Sequence, residues 1–177
     1  MMKNKNYITI ILLLVITTNL TGLFGCLNRH ESGNVEEQKL LSPIEQKVCE
    51  QINNYRTSKG LKPLTVDERI ITQAREHSQN MADGTVPFSH EGFEQRIADT
   101  GIDFQLSAEN VAYNQGYEDP VTHAVDGWIK SEGHRKNIEG NFNLTGIGVV
   151  KNEKDQYYFT QIFILANKST NGSTNIN

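Results

Sequence analysis

Cysteine is scarce in this 177-residue chain, which has only Cys26 and Cys49. That excludes a disulfide framework, so the fold must rest on a buried apolar core, for which one domain of ordinary size is enough. Positive charge is not in excess either. The formal net charge is −4, and it falls to −6 if Lys3 and Lys5 leave with the N-terminal segment described below. An acidic domain without a basic stripe speaks against nucleic acid as a partner. No HExxH or CxxC cadence is present, so spacing alone gives no metal site. Gly-x-Ser-x-Gly is also missing, which removes the nucleophile elbow of the common serine hydrolases. There is no internal repeat.

The N-terminus does carry a recognisable signal. Lys3 and Lys5 precede an apolar run from Ile8 to Ile16, broken only by Thr9, and the chain then reads Leu23-Phe24-Gly25-Cys26. A basic start, a short apolar stretch and a small residue before the cut describe a secretory signal peptide over residues 1–25. The following cysteine resembles a lipobox, with Phe24 departing from the usual small or aliphatic residue. The expectation is a lipid thioether on Cys26 that holds the protein to the membrane surface. The alternative is an uncleaved transmembrane anchor, since Tyr7 to Leu27 is about 20 residues, enough to cross a bilayer. Thr17, Thr18, Asn19 and Thr21 dilute its second half. Either reading places the domain outside the cytoplasm, and without paired arginines the route is general secretion. Residues 26–41 read as a flexible tether, 42–166 as the domain and 167–177 as a frayed polar tail.

Within the domain the elements are well punctuated. Ser42, Pro43 and Glu45 open a helix with Ile44, Val48, Ile52 and Tyr55 along one side, closed by Gly60. Cys49 beside Val48 reads as a buried small hydrophobe. Thr65 or Asp67 caps a second helix striped by Ile70, Ala74, His77 and Met81, ending at Gly84. A short third helix runs from about Gly92 to Ala98. Asp119-Pro120 caps a fourth, where Val121, Ala124, Val125, Trp128 and Ile129 follow the spacing of a buried face. Gly133 is positioned to end it. Leu144–Val150 and Tyr157–Leu165 are β-branched and aromatic runs around a charged turn, an antiparallel hairpin. Helices first and strands last predict an α+β fold.

Three segments carry more than fold. Phe88-Ser89-His90, Ala108-Glu109-Asn110-Val111-Ala112 and Ser131-Glu132-Gly133-His134-Arg135-Lys136-Asn137-Ile138 together resemble the signature of the CAP superfamily, the SCP-like extracellular domains, in its short prokaryotic form. The resemblance covers about residues 44–165. It implies a three-layer α-β-α sandwich whose small antiparallel sheet takes a third strand from near Glu109 to Tyr113. It also implies a groove where two histidines and two acids meet and where the histidines often hold a divalent metal. His90 and His134 match the histidines, and Glu109 matches the first acid. For the second acid, many members place it at the position of Ser131; here Glu132 stands one residue further on.

Zinc is the metal that best suits two neutral imidazoles backed by a carboxylate. Two protein ligands are fewer than the three of most catalytic zinc sites, which speaks against a dedicated metallohydrolase; with the lipid and sterol binding that the resemblance implies, the expectation is a non-catalytic groove for a small apolar ligand, peptide or envelope component. The alternative is a metal-dependent hydrolase, protease-like, with His90, Glu109, His134 and Glu132 as its candidates and Glu109 as general base. Ser89 and Ser131 read as helix-end caps rather than nucleophiles. Arg135 and Lys136 read as neutralising the C-terminal end of the preceding helix. His77 and His123 read as structural or solvent-facing, Asn110 as holding the Glu109 segment, and Trp128 as core.

Overall fold

The structure is a computed structural model that describes residues 40–167. The signal peptide, Cys26, nearly all of the tether and residues 168–177 lie outside the described residues. The packed domain begins slightly before Ser42, since Leu41 is already buried.

Helix α1 spans Pro43–Ser58 and starts as its sequence requires. Glu45 Oε2 accepts from both the backbone nitrogen and the hydroxyl of Ser42, each at 2.8 Å, so the turn is closed by its own third residue. Thr65–Val66 then forms a two-residue strand, β1, and Asp67 caps α2, Glu68–Asp83, by accepting from Arg69 N at 3.0 Å. Helix α3 covers Phe93–Asp99 and strand β2 Phe104–Gln115. Helix α4 covers Pro120–Lys130 and α5 Glu132–Glu139. Strands β3, Leu144–Lys151, and β4, Gln156–Ala166, complete the chain.

The strands lie in the order β1-β3-β4-β2, antiparallel except for the short β1–β3 pair. Alternation along β4 divides the interior. Phe159 and Phe163 join Val48, Ile52 and Trp128 on the face covered by α1, α4 and α5, whereas Ile162 and Ile164 join Ile70, Ala74 and Ile97 beneath α2 and α3. The expected three layers result. Helix α2 sits unusually close to the sheet because β3 offers glycine on that side: a Cβ on Gly146 or Gly148 would meet α2 backbone at 2.4 or 2.3 Å. Ser78 fixes the contact, with its hydroxyl 2.9 Å from Gly148 O and 2.8 Å from Thr160 Oγ1.

The strand expected near Glu109 to Tyr113 is present and runs longer, over the full length of β2, with Asn110 in register opposite Gln161. One sequence expectation needs correction. Gly133 does not end a helix. Ser131, with extended backbone (φ −82°, ψ 122°), ends α4 and at once serves as N-cap of α5, and Gly133 falls within the first turn of α5. Ile138, fully buried, anchors that new helix to the core.

One buried cation ties these layers together. Arg56 of α1 is only 2 % exposed, and its guanidinium donates to four carbonyls: Lys62 O at 2.9 Å, Ile138 O at 2.5 Å, Gly140 O at 3.0 Å and Phe142 O at 3.4 Å. Two of these belong to the C-terminal end of α5, where unpaired carbonyls concentrate negative potential. Arg56 thereby sets where α5 stops and where β3 begins.

Candidate functional site

Strand β2 is the end strand of the sheet, so one side of it lacks a strand partner. Side chains from the flanking helices close that side. Glu109 O accepts from Asn137 Nδ2 at 3.1 Å, and Val111 O, two residues on, accepts from Trp128 Nε1 at 3.0 Å. The spacing of two is that of carbonyls pointing off one side of a strand. Asn137 Nδ2 also donates to Asn110 Oδ1 at 2.9 Å, and Asn110 Nδ2 donates to His134 O at 3.1 Å. Asn110 is fully buried. Its amide therefore holds the helix that carries His134, rather than the Glu109 segment.

The side chain of Glu109 points to the other layer and is 2 % exposed. Arg96 of α3 grips it: Nε lies 3.1 Å from Oε2, and Nη2 lies 2.9 Å from each carboxylate oxygen. His90 Nδ1 lies 2.9 Å from Oε1. Each oxygen thus has two close donors, which accounts for the roughly four acceptor sites of a carboxylate. The Nδ1 contact requires the ring proton on that nitrogen, so the lone pair of neutral His90 sits on Nε2. His90 is half exposed at 51 % of its side chain, in the α2–α3 loop.

His134 completes the group from α5, half-buried. Burial first, then the charge of His90, lowers its pKa below the ordinary histidine value, so it is neutral at pH 7. His90 and Glu109 thus touch, and the helix that carries His134 is tied to the same strand through Asn110.

The remaining candidates separate from this centre. Glu132 is 72 % exposed and pairs with Lys136 at 2.7 Å along one turn of α5. It faces solvent at the start of α5 and makes no hydrogen bond or ion pair with His90, Glu109 or His134. Arg135 Nη1 donates to Ile129 O at 2.9 Å, neutralising the end of α4, whereas Lys136 is occupied by Glu132. Ser89 Oγ accepts from Glu91 N at 3.2 Å, and among the described residues no serine hydroxyl bonds a histidine ring. His123 stacks on Tyr117 with ring centroids 3.4 Å apart. Cys49 is buried, with Asn53 Nδ2 3.7 Å from its sulfur.

Sequence reading missed Arg96 and the part played by His77. A signal existed for the first: Arg96 adjoins Ile97 and follows Phe93 by three, so it sits beside the inward stripe of α3. His77 is 3 % exposed, with Nε2 2.9 Å from Ser89 O. Burial is the main cause of its lowered pKa.

Glu109 orients the His90 ring from behind, so that Nε2 is the nitrogen left for a ligand. Among the described residues no group of three or more His, Cys, Asp or Glu is arranged around one point. Two hollows of about 420 and 450 Å³ lie elsewhere, one beside Glu45 and Arg75 and one by the β3–β4 turn. The surface next to His90 is instead aromatic. Phe88 and Tyr113, 52 % and 42 % exposed, meet edge to face at 6.4 Å, and Tyr113 leans on Tyr158 at 5.1 Å.

Known proteins share this chain's pattern. It is 37 % identical over 131 residues to the protein YkwD of Bacillus subtilis and 34 % identical over 133 residues to the membrane protein YlbC of the same organism. Those alignments cover 70 % and 72 % of this chain but only 48 % and 36 % of the relatives, so the chain spans less than half of either. A solved extracellular SCP-domain protein from Bacillus anthracis superposes with a TM-score of 0.58 at 31 % identity, covering 70 % of this chain and 44 % of that one. Residues 49–163 match the cysteine-rich secretory protein family. With its layered sheet and its histidine–glutamate contact in place, the chain belongs to that family, CAP.

Proposed function

We propose that this CAP domain is an exported capture module: His90 and His134 take a divalent cation, zinc by donor type, beside an aromatic surface that binds a small apolar ligand, peptide or envelope component without turning it over. The observation that carries the reading is the saturation of Glu109. A general base needs a free lone pair aimed at the water it deprotonates. Glu109 is buried and has its acceptor sites filled by Arg96 and His90, so it orients a ring and is not the general base that the hydrolase reading gave it. Phe88 and Tyr113 support the ligand half of the reading, since exposed aromatic rings beside a polar centre supply apolar contact.

Calorimetric titration of the protein with Zn²⁺, paired with peptide-hydrolysis assays, tests this. The expected result is Zn²⁺ uptake that His90→Ala and His134→Ala each weaken about 10-fold or more, as loss of one of two ligands entails, with no cleavage above the zinc-only blank. Chelator-sensitive cleavage that either variant lowers by orders of magnitude would establish the hydrolase instead.

We propose further that the domain is held at the outer membrane surface by lipid on Cys26. The lipobox-like Leu23-Phe24-Gly25-Cys26 supports the lipid reading. Cys26→Ser is expected to move the protein from the membrane fraction to the medium. Retention of the variant at the membrane would favour the uncleaved anchor.

A further inference from the structure

His90 sits in an exposed loop, yet the peptide is held on both sides of it. Immediately before it, Ser89 O accepts from His77 Nε2 at 2.9 Å; immediately after it, Glu91 O accepts from Arg96 Nη1 at 2.7 Å. Its own carbonyl accepts from Phe93 N at 3.1 Å, and its ring is fixed by Glu109. The two donors come from different helices, α2 and α3. Both are withdrawn from water: His77 is 3 % exposed and the Arg96 side chain 11 %. A buried histidine costs free energy unless its polar atoms are used. Here the outlay brings one result, a fixed loop carbonyl next to a candidate ligand.

We propose that His77 and Arg96 are positioning residues that clamp the carbonyls of the two residues on either side of His90, so that its imidazole is presented in one orientation. The inference rests on the capture reading above for the identity of the ligand atom, but the clamp itself exists with or without a cation. Arg96 acts twice, through Glu91 O and through Glu109. His77 acts only through Ser89 O, and for that reason it isolates the clamp from the carboxylate.

The test compares His77→Leu, which removes the donor, with His77→Gln, whose amide nitrogen can still reach the carbonyl. Two quantities are read on the full chain: amide hydrogen exchange at Glu91 and neighbouring loop residues without metal, and Zn²⁺ affinity by calorimetry. His77→Leu is expected to speed loop exchange about 10-fold or more relative to the β2–β4 core and to weaken Zn²⁺ about 10-fold, the low end for losing an outer-shell partner. His77→Gln is expected to keep both near the parent values. Equal effects of Leu and Gln, or loop exchange that rises only in step with the core, would reduce His77 to a packing residue and overturn the proposal. If neither variant folds, Arg96→Lys replaces them: it keeps a cation but loses the fork. Unchanged loop exchange in that variant would likewise overturn the clamp. If the parent protein takes up no Zn²⁺, the capture reading fails, and the exchange measurement still decides whether the clamp exists.

Discussion

Arg56→Met is expected to be the most damaging single change in the domain that leaves every candidate site residue in place. The methionine fills much of the same volume but donates nothing, and the carbonyls of Lys62, Ile138, Gly140 and Phe142 lose their shared donor. A buried acceptor left without a partner costs about 1–3 kcal/mol, and water reaching some of the four holds the total to about 3–5 kcal/mol. Domains of this size are stable by about 5–15 kcal/mol, so most of the margin would go. Urea denaturation measures the loss. Arg56→Lys, which retains a cation with a single nitrogen, should recover part of it. A Met variant within about 1 kcal/mol of the parent would show that the guanidinium merely fills space. The damage should also reach the site, since Ile138 and His134 share α5.

Gly148→Ala should come second, through a different cause. The added methyl would stand 2.3 Å from Ala74 C and from Arg75 N, both backbone atoms of α2 that no side-chain rotation can move aside. Either α2 lifts off the sheet or β3 bends, and Ser78 loses its contact with Gly148 O in both cases. Overpacking of a core costs about 1–3 kcal/mol when side chains can adjust, and about 3 kcal/mol or more is expected here where they cannot. Gly127→Ala provides the control. Gly127 lies inside α4 with nothing within 4 Å of its added Cβ, so the same chemical change should raise stability by about 0.5–1 kcal/mol through helix propensity. Thermal melts of the two variants in one buffer decide the matter; shifts of like sign would disprove the close approach of α2.

The contrast between what was and was not legible in the sequence follows the range of the interactions. The stripe from Val121 to Trp128 is set by neighbours three and four residues apart, and α4 appears where the spacing puts it. The caps at Ser42 and Asp67 are equally local. Arg96, by contrast, finds Glu109 only because α3 folds back on β2, and the intervening residues carry no trace of that pairing. The meeting of His90 with Glu109 was expected only from the family resemblance. Strand β1 escaped notice because two residues have no period; it exists by pairing with Leu144 and Thr145, some 80 positions downstream. Gly133 misled for a related reason. A glycine after a helical stripe usually ends the helix, but here the extended backbone of Ser131 had already done so.

The two candidate histidines are carried by elements of opposite layers, which has a mechanical corollary. His134 rides on the layer formed by α1, α4 and α5, whereas His90 hangs from the layer of α2 and α3. Anything that grips both would rivet the two halves across the rim of β2, so occupancy would register in the melting of the whole body and not in a single loop. A captured ion would then add one more link between the layers, beside the bonds that Trp128 and Asn137 already make along β2.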